Sequence, residues 1–309
     1  MPYAIKIEEI DEIDKIEDET VRGDMMVKAK NEISSMGTVR TFWKVGTCSE
    51  ALFNVIDRAS DHPLKTEEHA STPFAGGILQ HGWQCGQVWG ASLAAGAQAY
   101  RLLGSGPQAE TGAIIATQKV LEAFRACSKN RVNCHDITGL DKSSSSVQMM
   151  IYFLIKGGAI GCFRMAARFA PLAFNAINSA LAEKPAQAPS GPVSCSALLV
   201  QKMGLSDMHS VTAAGLAGGI GLSGEACGAL GAAIWIIAMN CLKESADDNL
   251  WKSKVFQSRA NDTIEKFLKC TDHAFECSKI VGRKFENVSD HADYLRGGGC
   301  SKILEGLIE

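Results

Sequence analysis

Ten of the eleven cysteines in this 309-residue chain recur in register across its two halves, and that repetition constrains the fold more than any local pattern. Sliding FAGGILQHGWQCGQVWGA (74–91) by 142 positions sets it on LAGGIGLSGEACGALGAA (216–233) without a gap. Eight of those 18 positions are identical, including Gly76, Gly77, Gly82, Cys85 and Gly86. Upstream, CSEALFNVIDRASDH (48–62) meets CSALLVQKMGLSDMH (195–209) at a shift of 147. Downstream, EAFRACSKNRVNCHDITG (122–139) meets EKFLKCTDHAFECSKIVG (265–282) at a shift of 143, and KGGAIGC (156–162) pairs with RGGGC (296–300). The first half thus carries Cys48, Cys85, Cys127, Cys134 and Cys162, and the second Cys195, Cys227, Cys270, Cys277 and Cys300. Cys241 alone has no partner; its counterpart is Ala99. Matched halves can bury equivalent surfaces against each other as symmetric subunits do, so a pseudo-twofold relation is expected.

Within each half the apolar spacing is helical. EALFNVID and SALLVQKMG follow it, and TIEKFLKCTDHAFE sets Ile264, Phe267, Leu268 and Phe275 at intervals of three, four and seven. Alternating β-branched runs of strand length are scarce. The expected fold is all-α, two tandem homologous helical lobes. AEKPAQAPSGPV (182–193) holds three of the eight prolines without apolar periodicity and reads as an extended linker. Residues 1–40 form an acidic N-terminal helical segment with Ile7, Ile10, Ile13 and Ile16 on one stripe. The first cysteine-bearing lobe is then 41–181 and the second 194–309.

Bulk properties remove several function classes. A net charge of −3 gives no general attraction to nucleic acid. ACGALGAAIWIIAMNCL (226–242) is uncharged and approaches spanning length, but Glu225 and Lys243 bracket it, and a buried helix accounts for it without stable membrane insertion. The N-terminus MPYAIKIEEIDEIDKIEDE lacks the basic and apolar regions of a signal peptide. The expected location is therefore a reducing cytoplasm, where clustered cysteines mean metal or redox chemistry more often than structural staples.

The glycines around Cys85 and Cys227 predict a tight turn feeding a helix whose first turn carries the thiol. A helix N-terminus favours a thiolate, and small residues such as Gly86 and Gly228 leave room for a bound group. No C-x-x-C occurs, so the usual zinc-ribbon and thioredoxin signatures are absent. Cys127 and Cys134, like Cys270 and Cys277, are seven apart, a spacing that could place both on one helix face about 10 Å apart. The thiols must then converge through tertiary folding. Four cysteinates per half could hold a [2Fe–2S] or a [4Fe–4S] cluster, and the same four could make two redox disulfides. GIGLSG (219–224) satisfies G-x-G-x-x-G but follows no convincing strand, so it is a decoy for a dinucleotide site. His62, His81, His209 and His273 read as helix histidines rather than ligands. Glu225, beside Cys227, could tune that thiol, but its counterpart is Trp83.

These residues resemble a family of redox-active proteins named for a C…GCAxxG…C…C cysteine pattern, whose members are about half this chain's length. VSCSALLVQKMGL, GLAGGIGLSGEACGALGAA, FECSKIVG and GGGCSKILEGLIE carry the likeness. The resemblance implies Cys195, Cys227, Cys277 and Cys300 as metal or redox residues. Through the repeat it also implies Cys48, Cys85, Cys134 and Cys162. Cys127 and Cys270 fall outside the named pattern and are alternate ligands. The leading expectation is one iron–sulfur cluster per lobe and electron transfer with a redox partner protein, a homodimer being open. A metal-free thiol–disulfide oxidoreductase or redox sensor is the alternative, and a metal or cluster storage module the third. Whether the protein is an enzyme stays open at this stage.

Overall fold

The computed structural model describes residues 33–145, 147–148, 151–152, 158–183, 187–244 and 249–308. Among them stand fourteen α-helices, one 3-10 turn and no strand; the chain is all-α. The first half runs α1 (Ser35–Val45), α2 (Cys48–Ala59), α3 (Lys65–Ala70), a 3-10 turn (Thr72–Phe74), α4 (Gly86–Leu103), α5 (Pro107–Ser128), α6 (Cys134–Thr138) and α7 (Gly158–Ala182). The second runs α8 (Cys195–Lys202), α9 (Asp207–Ala214), α10 (Gly228–Glu244), α11 (Lys254–Cys270), α12 (Cys277–Val281), α13 (Val288–Arg296) and α14 (Ser301–Ile308). The helix stripe expected at Ile7 to Ile16 lies outside the described residues.

Helix boundaries follow capping chemistry. Ser34, Ser194, Ser253 and Asn287 accept first-turn N–H groups of α1, α8, α11 and α13. Pro107 opens α5, and left-handed Gly46, Gly139 and Gly282 close α1, α6 and α12. The two expected Cys–Cys helix faces do not form. Left-handed Lys129 and Asn130 break the chain between Cys127 and Cys134, and Asp272 and His273 break it between Cys270 and Cys277.

The duplication is written into the backbone. Gly76, Gly77, Ile78, Leu79, Gln80 and Gly82 all have positive φ, and so do their equivalents Gly218, Gly219, Ile220, Gly221, Leu222 and Gly224. A left-handed residue bearing a β-carbon costs roughly 1–2 kcal/mol, and a β-branched one is a rare outlier. Ile78 and Ile220 are held there by burial, at 0% and 1% exposure. Matched turn bonds help, Gly82 N to Gly76 O at 3.0 Å and Gly224 N to Gly218 O at 2.9 Å. GIGLSG is part of this left-handed turn.

Packing between the halves is reciprocal. α9 of the second half packs on α4 of the first, while α3 of the first packs on α10 of the second. Trp235 Nε1 donates to Glu67 O at 3.0 Å, and Gly96 lies against Thr212 O. A residue on a twofold axis meets its own equivalent. α3 and α9 match at a shift of 142, which sets His209 on Glu67 and not on His62, and two pairs at that shift do so: His209 Nε2 stands 3.1 Å from Glu67 Oε1, and the Trp89 ring packs on Gly231. The lobes are therefore related by a pseudo-twofold axis passing these contacts. One core spans both, with Leu52, Ile56 and Trp89 joining Leu230, Ile234 and Trp235. The apolar run 226–242 is mostly α10 within that core. No described helix is long and apolar enough to cross a membrane.

Where the second half begins, Ser194 N donates to Glu110 Oε2 at 3.2 Å, and burial pushes the Glu110 carboxyl from 4.5 up to about 7. A folded-state value above the unfolded one means that stability is full below pH ~4.5 and is lost as pH rises through ~7. Glu110→Gln keeps an acceptor and cannot ionise. Its stability relative to wild type should rise between pH 4.5 and 7, by up to about 3 kcal/mol, in urea melts run at both ends of that range.

Candidate functional site

The eight cysteines that the resemblance implied are placed by helix starts. Cys48 and Cys195 begin α2 and α8, Cys134 and Cys277 begin α6 and α12, and Cys85, Cys227 and Cys300 directly precede α4, α10 and α14. Cys162 lies near the start of α7. The sequence singled out only Cys85 and Cys227 for this position, but helix starts recur around both sites.

The left-handed turn supplies donors to sulfur. Gly76 N–H is directed at Cys48, and its equivalent Gly218 N–H at Cys195. Past the turn, Cys85 receives the N–H of Gln87, and Cys227 those of Ala229 and Leu230. The same loops dock the third cysteine. His135 N donates to Gly82 O at 2.9 Å and Ser278 N to Gly224 O at 3.0 Å, which seats α6 and α12 and brings in Cys134 and Cys277.

The result is two four-thiol sites. Cys48, Cys85, Cys134 and Cys162 line one cavity of about 930 Å³. Cys195, Cys227, Cys277 and Cys300 line another of only about 10 Å³. Cys127, Cys270 and Cys241 line neither. Among the described residues, no three His, Cys, Asp or Glu side chains close on a single point as they would around one metal ion. The first site's thiols surround a space, a donor arrangement suited to a multi-atom cluster, whereas the second site's four stand around room for about one water, an arrangement suited as it stands to pairing among themselves.

Burial dominates the thiols' acidity. The Cys85 S–H bonds to Cys48, which lowers Cys48 below the ordinary thiol value and raises Cys85 well above it. Burial pushes Cys134 up to about 12, Cys162 to about 11 and Cys227 to about 12, and it raises Cys195, Cys277 and Cys300 as well. The helix-start effect expected to favour thiolates at Cys85 and Cys227 is outweighed there, and Cys48, the one site cysteine that is lowered, owes this first to the bond from Cys85. Thiols kept protonated by desolvation ionise when a cation binds them, so metal uptake would release protons.

The glycines next to Cys85 and Cys227 stand at the sites, Gly228 lining the second cavity, and both are tightly packed. A β-carbon on Gly86 would stand 2.7 Å from Cys48 Sγ and 2.8 Å from Phe74 O, and one on Gly228 would overlap Leu216 O. Both residues seat their helix on the preceding loop. Glu225 is not a partner of Cys227: its carboxylate pairs with Arg125 of the other half at 2.6 Å. His81 stacks on Trp83, which stacks on Phe275 across the halves at 3.9 Å, and His62, His81, His209 and His273 line neither cavity.

The sequence reading missed one residue in each site that the repeat shares. Tyr152 Oη lies 3.9 Å from Cys162 Sγ, and the Tyr294 hydroxyl bonds to Cys300. Each ring packs against a glycine near that cysteine, Gly158 or Gly299. Cavity-lining histidines were missed too: His69 in the first site and His291 in the second. Cys241 is buried beneath Arg259, whose Nη1 lies 3.7 Å from its sulfur. Cys241→Ser should leave the metal content of the protein at the wild-type level and lower its thiol count by only the one removed, as measured by metal analysis and thiol titration.

The family profile described as "Putative redox-active protein (C_GCAxxG_C_C)" matches residues 47–172 and again 193–309. The chain belongs to this family. It holds two C_GCAxxG_C_C units in tandem, and the four cysteines that line each cavity lie within the residues matched. No curated protein and no solved structure matches the chain.

Proposed function

We propose that each C_GCAxxG_C_C unit holds one iron–sulfur cluster and that the protein passes electrons to and from a redox partner protein in a reducing cytoplasm. The observation that carries this reading is the sorting of the thiols. Four cysteines from separate helices face one space in each half, and the other three are left out. The donors would be Cys48, Cys85, Cys134 and Cys162 in the first site and Cys195, Cys227, Cys277 and Cys300 in the second. Such a cluster supplies one-electron oxidation and reduction. The chain contributes backbone N–H groups aimed at the sulfurs and tyrosine hydroxyls beside Cys162 and Cys300. Hydrogen bonds to ligand sulfur favour the more reduced state and raise the potential.

A metal-free thiol–disulfide function is favoured by one observation, the S–H bond between Cys85 and Cys48. That pair holds a lowered-pKa thiol beside its partner, the arrangement an attacking thiolate needs. Optical and electron paramagnetic resonance spectra of anaerobically purified protein separate the two. Visible absorption that bleaches on dithionite and returns on reoxidation supports the cluster reading. A colourless protein whose free thiols fall by pairs on oxidation overturns it and supports the dithiol one. Storage of metal without turnover would instead show as iron that leaves to a chelator without redox cycling.

A further inference from the structure

Two helices that wall the first thiol site carry a second pattern on their outer sides. In α1 the exposed large side chains are Met36, Arg40, Trp43 and Lys44, spaced by four, three and one, which puts them on one stripe. In α7 the exposed Ile160, Arg164, Arg168 and Leu172 recur every four residues and form a second stripe. The stripes lie side by side, because α1 and α7 pack together with their contacts in opposite order. Ser35 Oγ donates to Ala167 O at 3.2 Å, and further along α1 the Trp43 ring stands 6.2 Å from that of Phe163. Met36 and Trp43 are 70% and 78% exposed. Neither helix contains an acidic residue. Among the described residues, none of Arg40, Lys44, Arg164 and Arg168 is in an ion pair. Exposed Trp and Arg in one patch are the residue types that carry most of the energy at protein interfaces, and like charges without a counter-charge attract an acidic surface.

The patch backs onto the first site. Phe42, Val45, Phe163 and Met165, on the inner sides of the same two helices, line its cavity. Cys162 sits between Ile160 and Arg164 in α7, so a molecule seated on the stripes is no more than a helix diameter, ~10 Å, from that thiol. The repeat supplies an internal control. At the shift of 147 that pairs Cys48 with Cys195, α1 falls on the linker, whose described residues past Ala182 form no helix. Pairing Cys162 with Cys300 sets α7 on α14, which has eight residues and includes Glu305. The second site has no such face among the described residues.

We infer that the α1–α7 face docks the redox partner, and that this partner is a small electron-carrier protein with an acidic rim around an apolar centre. The inference rests on the electron-transfer reading proposed above and deepens it, since it makes the first site the one that meets the partner. A lipid surface fits the pattern less well. A helix lying on a membrane separates its apolar side from its charged side, whereas Arg40 stands between Met36 and Trp43, and both arginines of α7 stand between Ile160 and Leu172.

The test titrates two acidic carriers, a plant-type [2Fe–2S] ferredoxin and a flavodoxin, into the full chain before and after reconstitution with iron and sulfide. Iron is counted in parallel. At least one carrier should bind at about 100 µM or below in low salt, and about tenfold more weakly in about 0.3 M salt. Trp43→Ala and the double variant Arg40→Glu/Lys44→Glu should each weaken binding about tenfold. Lys266→Glu/Lys269→Glu, the same charge change on exposed lysines of α11, should weaken it by no more than about twofold. Circular dichroism checks the fold of each variant. A zero-length carbodiimide crosslink should join Lys44 to a carboxylate of the bound carrier. Equal losses in the α1 and α11 double variants overturn the inference, as does no binding of either carrier at about 1 mM. Lys44 crosslinked to residues 1–32 or to a second copy in place of the carrier overturns it too, as does Trp43-dependent binding to phosphatidylserine vesicles in place of either carrier. Carrier binding with the expected losses in a chain that takes no iron upholds the docking face and sinks the cluster reading alone. A chain that takes iron but binds neither carrier does the reverse.

Discussion

Gly228→Ala should leave little folded protein. Its β-carbon would overlap Leu216 O, a backbone atom that cannot swing aside, and α10 is buried along most of its length. Overpacking a buried helix start costs about 3 kcal/mol or more, a melting-temperature drop of about 10 °C or an insoluble product. Gly306→Ala is the control, because nothing lies within 4 Å of a β-carbon there and its φ is not positive. That variant should melt at or slightly above the wild-type temperature, since alanine is favoured over glycine in a helix. Equal melting of the two variants would show that the close seating of α10 on the preceding loop does not exist.

Cys227→Ala should remove about half of the iron that the reconstituted wild type binds, and Cys277→Ala should match it, because both thiols line the same cavity. Cys270→Ala should remove none: Cys270 ends α11, is exposed, and lines neither cavity. Cys127→Ala should be equally silent for the first site. A loss in Cys270→Ala as large as in Cys227→Ala would make the fifth cysteine a ligand and break the four-thiol grouping.

Helical apolar spacing made the all-α class readable, the repeat the pairing of the halves, and the flanking glycines the helix-opening position of Cys85 and Cys227. Other features depend on three-dimensional folding that spacing hides. Cys127 and Cys134 looked as if they could share a helix face since nothing in Lys129–Asn130 announces a left-handed turn; neither residue is glycine. Tyr152 and Tyr294 are 142 positions apart, the shift of the glycine-rich loops, but they escaped notice because Cys162 and Cys300 follow them by ten and six residues, so no single shift aligns tyrosine and cysteine together. Glu50 and His69 meet only because α3 folds back beside α2, and Glu225 lost its expected role to Arg125, which arrives from the other half. Acidity was misjudged for a related reason. Helix position is visible in a sequence, but the burial that outweighs it is a product of tertiary packing.

The most direct test of the central claim is the iron and acid-labile sulfide content per chain of anaerobically purified wild-type protein, set beside a Cys85→Ala/Cys227→Ala double variant. Two four-thiol cluster sites predict iron and sulfide in equal amounts in the wild type, enough for two clusters per chain, and none in the double variant. Wild-type protein with no iron, or a double variant that keeps its iron and sulfide, would contradict the account.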